Sequence, residues 1–143
     1  MGIKNCFLLL FLFCTNLGFA QKEISLNGNW EIVFDHHNEG AKALWHENDI
    51  FQSLEYKRKI KVPSSWELIE QDYEGVAFYR YAFEVPKDWE GKIIRLQFDA
   101  VNYLSEIWLN DEVVGFHEGG FTPFEFRVDN MIQSGKKNVL TLR

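Results

Sequence analysis

Acid–base or metal chemistry in this chain would have to come from a few histidines and carboxylates that are scattered along it. The histidines show none of the spacings to further ligands that zinc sites require; they are His36, His37, His46 and His117. The carboxylates nearest to predicted loops are Glu67, Glu70, Asp72, Glu74 and Glu118. Two carboxylates share acid–base work only at a defined separation of about 5–9.5 Å, and surface solvation explains each of these acids more simply. With no nucleophile elbow, phosphate loop or zinc signature present, the chain alone shows no catalytic constellation.

The most unusual stretch is the loop 117–123, in which two glycines and a proline lie among aromatic residues. Gly119 and Gly120 permit backbone conformations that other residues avoid. One interpretation is an awkward turn between two strands. The other is a loop shaped to reach a ligand or a neighbouring domain, because binding residues collect on loops that a rigid sheet holds in place. The sequence leaves both interpretations open.

The first twenty residues have the pattern of a secretory signal peptide. Lys4 lies in a short basic region, an apolar run follows at 7–13, and small residues stand at Gly18 and Ala20. This pattern predicts cleavage between Ala20 and Gln21. A membrane anchor is the alternative, but the apolar run has about half the roughly 20 residues that span a bilayer. We therefore expect an exported protein without a membrane span, located in the periplasm or secreted.

Both cysteines, Cys6 and Cys14, lie inside this leader, so the mature chain would have no thiol for a disulfide or a zinc–thiolate site. Cys14 follows Phe13 rather than a small residue, which argues against a lipid-anchored start. The net charge of the full chain is −6, and removal of the leader takes away only Lys4, which makes it −7. An acidic exported domain argues against nucleic acid as a partner.

The remaining residues, 21–143, have the length of one domain. Within them, apolar and polar residues alternate in short segments that are separated by turn residues, which predicts strands. The predicted strands are 23–35 with a break at Asn27-Gly28, 56–62, 77–85, 94–98, 104–109, 112–116, 122–128 and 138–143. Aromatic residues make up 16% of the chain and would fill the core, with surplus ones free to stack on sugars. The fold class we predict is all-β, an antiparallel β-sandwich or jelly roll.

Two of the connections carry predictions of their own. Asn110-Asp111 tolerates the left-handed backbone of a tight hairpin and lies between two predicted strands. Residues 36–52 are polar and weakly patterned, which predicts a loop with at most a short helical turn.

The last predicted strand, 138–143, reaches the end of the sequence without a polar tail. We expect it to leave a ragged sheet edge, a liability that complete domains usually cover or charge. The sequence therefore predicts a fold that is incomplete at the C-terminus, with further residues to follow.

Eight groups of residues carry a further signal through their order along the chain. They are Leu26-Asn27-Gly28-Asn29-Trp30 with Asp35; Val62-Pro63-Ser64-Ser65-Trp66; Tyr73-Glu74-Gly75 with Tyr79-Arg80; Pro86-Lys87-Asp88-Trp89-Glu90-Gly91; Leu96-Gln97-Phe98-Asp99-Ala100-Val101; Ile107-Trp108-Leu109-Asn110; Val114-Gly115; and Gly119-Gly120-Phe121-Thr122-Pro123-Phe124-Glu125. Each group alone is a weak signal. Together and in this order they resemble the N-terminal sugar-binding domain of family 2 glycoside hydrolases, the group of β-galactosidases, β-glucuronidases and β-mannosidases. The resemblance covers nearly all of residues 21–143.

That resemblance implies a jelly roll of the galactose-binding type at 21–143, truncated relative to the family's longer domain. In the parent protein it would precede an immunoglobulin-like domain and a TIM barrel. The family hydrolyses terminal β-linked sugars with retention, using two glutamates of the barrel, and neither is in this chain. The parent would then be an exported glycoside hydrolase that acts on β-galactosides or β-glucuronides in carbohydrate catabolism, and this piece alone would be inactive.

Within the family, the segment 73–86 and the loop 119–125 look most similar to β-glucuronidases. Galactosidases of the large bacterial type carry an aspartate where Gly119 stands and an asparagine near the position of Phe78. Shorter galactosidases share the glycine-rich loop, so the identity of the sugar stays open.

By the same resemblance, His117 and Glu118 are the candidates for residues near the substrate pocket. Trp66 and Tyr73 are the second choice of candidates, because aromatic side chains with a polar end suit sugar faces. No catalytic residue, cofactor or metal is expected in this chain. The expected partners are a carbohydrate substrate and the parent's downstream domains, and a homo-oligomer is left open. The alternative function is a non-catalytic carbohydrate-binding module, free-standing or attached to another enzyme such as an esterase.

Overall fold

The protein folds as two antiparallel β-sheets that face each other. The computed structural model describes residues 21–143, and the predicted leader at 1–20 lies outside them. The described strands are β1 (Gly28–Asp35), β2 (Arg58–Val62), β3 (Val76–Glu84), β4 (Arg95–Phe98), β5 (Leu104–Leu109), β6 (Glu112–Glu118), β7 (Phe124–Arg127) and β8 (Lys137–Leu142). One short helix, α1 (Asn48–Ser53), and two 3₁₀ turns, Trp66–Leu68 and Lys87–Trp89, accompany them. None of the helical segments between Gln21 and Arg143 has the length and apolar character that crossing a bilayer requires.

The larger sheet has six strands in the order β2-β1-β3-β8-β5-β6, and β4 pairs with β7 in a second sheet of two strands. The strands alternate as the sequence predicts, so that one face of each contributes to a core between the two sheets. Buried members of that core are Trp30, Ile32, Phe34, Ile60, Ala77, Val85, Ile94, Leu96, Ile107, Leu109, Val128, Leu140 and Leu142. The predicted all-β sandwich is therefore confirmed.

The outer face of the larger sheet is covered as well, by the connection between β1 and β2. Phe51 of α1 packs against Val33 of β1 and Phe78 of β3, and all three side chains are buried. Trp45 packs against the same cluster. Since α1 has only six residues, this connection agrees with the predicted loop with a short helical turn. Its function is to keep a second set of apolar side chains out of water.

Asp35 fixes the start of this covering loop. Its carboxylate is 3% exposed and accepts hydrogen bonds from the backbone N–H groups of Glu39 at 2.9 Å and Gly40 at 2.8 Å. A Cβ atom on Gly40 would lie 2.6 Å from the ring of Phe78, so only glycine lets the loop lie this close to the sheet. Asp35 therefore belongs to the fold and is not available to a ligand.

Arg80 fixes the end of the same loop. Its guanidinium is 3% exposed and donates hydrogen bonds to the backbone carbonyl of His46 at 3.1 Å, Oδ1 of Asn48 at 2.9 Å and Oγ1 of Thr141 at 3.0 Å. Burial lowers the pKa of Arg80, while the Asp111 carboxylate, 3.7 Å away, works in the opposite direction. The partners come from the loop and from β8, so Arg80 joins the cover to the middle of the sheet.

The hairpin predicted at Asn110-Asp111 is present between β5 and β6. Asn110 has a φ of 53° and Asp111 a φ of 69°, the left-handed values that a two-residue hairpin turn requires. The Asn110 side chain also donates to the carbonyl oxygen of Met131 at 2.9 Å and accepts from the backbone N–H of Val139 at 2.9 Å. The hairpin is therefore attached to the segment that leads into β8.

Asn138 is the polar residue at the centre of that attachment, and it is completely buried. Its Oδ1 accepts from the backbone N–H of Gln133 at 2.8 Å and from Nδ2 of Asn110 at 2.9 Å. Its Nδ2 donates to the carbonyl oxygens of Gln133 and Lys136, each at 3.0 Å. All the hydrogen-bonding capacity of this amide is satisfied, which is what allows it to be buried.

The position of β8 differs from the expected ragged edge. This strand lies inside the larger sheet, with β3 on one side and β5 on the other. The last residues of β8 are correspondingly buried, and Leu140 and Leu142 face the core. The edge argument fails because pairing partners far apart in the sequence cannot be identified from the strand's own residues.

The Asn138 network predicts a large effect of a small substitution. In Asn138→Ala, the N–H of Gln133 and the carbonyl of Lys136 lose the Asn138 amide as their partner, and the Asn110 amide and the Gln133 carbonyl each lose one of two partners. We expect the free energy of unfolding, measured by urea titration, to fall by about 3 kcal/mol. The matched control is Asn29→Ala, which makes the same change at an exposed position of β1 and should change it by less than about 0.5 kcal/mol. Equal losses in the two variants would contradict this account of β8.

Candidate functional site

The four residues predicted to lie near a sugar pocket all occur at one end of the sandwich. Register pairs Asp35 of β1 with Val76 of β3 at this end, and Leu104 of β5 with Glu118 of β6. Trp66 and Tyr73 precede Val76 in the chain and pack beside the end of β1, whereas His117 and Glu118 end β6. Four strand spacings separate β1 from β6, which is about 19 Å. The structure therefore places the candidates at a common end but in two groups.

The first group is an aromatic cluster around Phe34. The ring of Phe34 lies 5.0 Å from that of Tyr73 and 6.2 Å from that of Trp66, both edge-on. His36 also meets Tyr73 edge-on, at 4.9 Å. The Arg58 guanidinium lies 5.5 Å from the centre of the Phe34 ring, within the range of a cation–π contact. Trp66 and Tyr73 are thus held firmly in the wall of the sandwich.

The hydroxyl of Tyr73 is already used by the backbone. It accepts a hydrogen bond from the N–H of Val76 at 3.0 Å and donates to the carbonyl oxygen of the same residue at 2.8 Å. Burial raises the pKa of Tyr73, and the negative charges of Asp35 and Glu70 add to that rise. A Cβ on Gly75 would lie 2.6 Å from the hydroxyl, which explains the glycine. The structure thus gives Tyr73 a clear role in the turn before β3, and a role toward sugar stays a prediction.

In the second group, His117 points between the two sheets. Its ring stacks on Phe124 of β7 with the ring centres 3.9 Å apart and the planes 14° from parallel. Phe124 in turn stacks on Phe98 of β4 at 4.8 Å. Nε2 of His117 lies 3.5 Å from Oγ1 of Thr122. The imidazole is therefore the end of an aromatic stack that joins the edge strand β6 to the smaller sheet.

Glu118 faces the other way, toward solvent, and meets Tyr103. A hydrogen bond to the Glu118 carboxylate raises the pKa of the Tyr103 phenol. The backbone N–H of Gly119, where φ is 139°, donates to the carbonyl oxygen of Tyr103 at 2.8 Å. A Cβ on Gly120 would lie 2.5 Å from Oδ1 of Asn102. The two glycines therefore let the loop 117–123 lie directly against the segment 102–103.

Tyr103 and Asn102 were missed by the sequence analysis, although they share this end with Glu118. Tyr103 is 60% exposed, and Phe121 in the neighbouring loop is 94% exposed. Both are aromatic rings in water beside a carboxylate and an amide, which is a combination that suits sugar faces. The only signal available from sequence was the aromatic residue after Val101-Asn102, which periodicity does not distinguish from a core position.

A cleft between the sheets reaches from Trp66 of the first group to residues that neighbour the second group. Its volume is about 1440 Å³, and among the four predicted residues it touches Trp66 on one side. On the other side it is lined by Asn102, Tyr103 and Gly120. Tyr79 of β3 stands in its floor, and burial raises the pKa of that phenol to about 12. The cleft exists because two strands cannot cover the inner face of six.

The described carboxylates do not form a hydrolytic pair at this end. Glu70 is bound to Arg58 of β2 at 2.6 Å, and Glu118 ends β6. These strands form opposite edges of the larger sheet, about 24 Å apart, whereas a retaining pair of carboxylates is about 5 Å apart. Among residues 21–143 no group of three or more His, Cys, Asp or Glu side chains could hold a metal ion. Glu70 and Glu118 are therefore too far apart to act together as a retaining pair.

Comparison with known proteins agrees with this geometry. The family described as "Glycosyl hydrolases family 2, sugar binding domain" matches residues 69–143. A beta-glucuronidase of Bacteroides fragilis is 29% identical over 97% of this chain and 19% of its own length. A beta-galactosidase of Thermoanaerobacter pseudethanolicus is 33% identical over 77% of this chain and 13% of its own length. The chain thus spans less than a fifth of the length of these two relatives.

Solved structures give the same result for the fold. Lactobacillus rhamnosus beta-glucuronidase superposes with a TM-score of 0.73 at 30% identity, covering 82% of this chain and 20% of that one. Ruminococcus gnavus beta-glucuronidase superposes with a TM-score of 0.77 at 28% identity, covering 86% of this chain and 22% of that one. Since the family match covers more than half of the chain and includes β3 to β8, the chain belongs to the sugar-binding domains of glycosyl hydrolase family 2.

Proposed function

We propose that this chain is the N-terminal sugar-binding domain of an exported β-glycosidase that removes terminal β-linked sugars with retention. The substrate would be a β-glucuronide or a β-galactoside. The observation that carries the proposal is the similarity to enzymes with these two names along nearly the whole described chain, which makes up only 13–19% of the enzymes' length. The parent protein would supply the rest of the active site.

The division of work between this domain and the parent follows from where the carboxylates lie. Glu118 and Glu70 stand at opposite edges of the larger sheet, too far apart for the two roles of a retaining mechanism. The nucleophile and the acid–base carboxylate would therefore come from the downstream barrel. This domain would contribute binding energy and would exclude water from one side of the pocket.

The end of the sandwich that carries the loop 117–123 is the part best suited to face the sugar. The stack of His117 on Phe124 keeps the loop rigid, and a rigid loop loses little entropy when a ligand binds. Glu118 is exposed and could accept hydrogen bonds from sugar hydroxyls. Phe121, with its exposed ring, could pack against the apolar face of the sugar.

Export rests on the leader alone. The basic start, the apolar run at 7–13 and the small residues Gly18 and Ala20 are the elements that a signal peptidase substrate needs. Residues 21–143 contain no cysteine, so this domain forms no disulfide within itself.

The main prediction is that the full-length parent cleaves β-glycosides and that residues 21–143 alone do not. The full-length parent should release nitrophenol from 4-nitrophenyl β-D-glucuronide or β-D-galactoside. Proton NMR of the first product should show the β-anomer, because retention preserves the configuration. Residues 21–143 alone should release none. Turnover by residues 21–143 would refute the proposal, and a parent that binds these sugars without cleaving them would favour the binding-module alternative.

The role of Glu118 has its own test in the parent enzyme. If its carboxylate accepts a hydrogen bond from bound sugar, Glu118→Ala should raise KM about tenfold with kcat nearly unchanged, a loss of about 1.4 kcal/mol in binding. Glu84→Ala is the matched control, since Glu84 is exposed at the opposite end of β3. If both variants have the KM of the unmodified enzyme, Glu118 is not a sugar contact.

The leader predicts a defined N-terminus. When the parent is expressed with export intact, mass spectrometry of the mature protein should find Gln21 as the first residue. Ala20→Arg should block this cleavage, because the peptidase accepts only a small side chain there. Recovery of unprocessed protein that starts at Met1 in the unmodified case would contradict the proposed export.

A further inference from the structure

The outward-facing positions of both sheets that remain exposed to solvent are polar except in one place. On β1 and β2 the outward pair is Glu31 with Lys59, 3.2 Å apart. On β4 and β7 it is Arg95 with Glu125, 3.1 Å apart. These are the wet faces that an antiparallel sheet normally presents. On β5 and β6 the same face carries large apolar side chains that nothing in the described part of the chain covers.

This apolar patch consists of Leu104, Val113 and Phe116, which are 54%, 71% and 71% exposed. Register places them together: Phe116 stands opposite Glu106, and Leu104 stands opposite Glu118, one pair further along. Val113 stands opposite Trp108. Leu104 and Phe116 are diagonal neighbours on one face, about 7–8 Å apart, and Val113 lies on the same face beyond the register shift between Ile107 and Trp108. Patches of this kind on otherwise polar faces mark contact sites.

The covering loop of the outer face stops just short of the patch. His46 stacks on Trp108 with the ring centres 4.7 Å apart, which leaves Trp108 8% exposed. The next row of residues across β8, β5 and β6 is not covered by the loop. In that row Arg143 pairs with Glu106 through two backbone hydrogen bonds of 2.9 Å and a side-chain hydrogen bond of 2.6 Å. Phe116 is therefore two strand spacings, about 10 Å, from Arg143.

The charges at the border of the patch distinguish between a second copy of the protein and a different partner surface. Glu112 and Glu118 lie at the two ends of β6. If a second copy paired its β6 antiparallel about Gly115, Glu112 of one copy would stand opposite Glu118 of the other. Like charges directly opposite each other on paired strands are destabilising, so β6 is a poor edge for self-pairing. An acidic rim around an apolar centre instead fits a surface with apolar side chains bordered by lysine or arginine.

We propose that the patch of Leu104, Val113 and Phe116 is the docking surface for the parent's own downstream polypeptide. The contacting surface of that polypeptide would be apolar at its centre and basic at its border. This inference rests on the proposed function, because it requires a parent that continues beyond Arg143. Docking here would also bring the downstream domain beside Glu118, at the end of the sandwich that carries the candidate sugar contacts.

Cysteine labelling in the full-length parent tests the patch, in a background from which the parent's accessible cysteines have been removed. Val113→Cys places a thiol in the patch, and Lys61→Cys places the matched control on the exposed outer side of β2, the opposite edge of the same sheet. We expect the thiol at position 113 to react with a maleimide at least tenfold more slowly than the control, at every protein concentration. After denaturation in urea the two thiols should react at the same rate.

Two results would overturn the proposal. Equal labelling rates in the folded parent would show that the patch stays in water. Protection that disappears on dilution would assign the patch to a second copy of the protein. Glycosidase activity of the unmodified parent is measured separately, so a protected patch in a parent without turnover would leave the docking surface intact and refute only the hydrolase.

Discussion

A six-stranded sheet has two faces to keep out of water, and here only two strands lie opposite it. Much of the structure follows from that mismatch. On the inner side, β4 and β7 cover the sheet with Leu96 and Phe126, and what they do not cover remains as the cleft. On the outer side, the connection with α1 covers β1, β3 and part of β5 and leaves the patch around Phe116 exposed. The cleft and the patch thus have the same cause, because the described residues do not completely cover either face of the larger sheet.

The cover of the outer face depends on β8, the last strand in the sequence. Among the strands of residues 21–143, β8 alone links the β2-β1-β3 half to the β5-β6 half of the sheet. Thr141 of β8 is also one of the hydrogen-bond partners that hold the buried Arg80. A charge buried this deeply is tolerated only when its donors are satisfied, so loss of β8 would release both the sheet and the loop fixed by Arg80. The hydrogen bonds of the buried Asn138 amide hold the start of β8 in place, and through β8 they support both the sheet and the loop.

The sequence was sufficient for the local structure and insufficient for the pairing. The alternation in 77–85 and 94–98 predicts β3 and β4, and Asn110-Asp111 predicts the hairpin, because each depends on neighbouring residues alone. The central place of β8 depends on pairing with β3 and β5, whose paired residues are 31 or more positions away along the chain, and no periodicity encodes it. For the same reason Tyr73 could be singled out as an aromatic residue with a polar end, while the use of its hydroxyl by Val76 could not be foreseen.

The four candidate residues come from the sequence, whereas their arrangement does not, and their role toward a sugar stays a prediction. Family resemblance pointed to His117, Glu118, Trp66 and Tyr73, and all four lie at the end of the sandwich where β8 leaves the sheet. Alternation along β6 sends His117 inward to Phe124 and Glu118 outward to Tyr103, so two adjacent residues serve different surfaces. His117 stiffens the loop from within, whereas the exposed Glu118 carboxylate lies beside the Tyr103 phenol. If this end of the sandwich faces a sugar, as we propose, rigidity would limit the entropy lost on binding and an exposed carboxylate would supply a specific hydrogen bond.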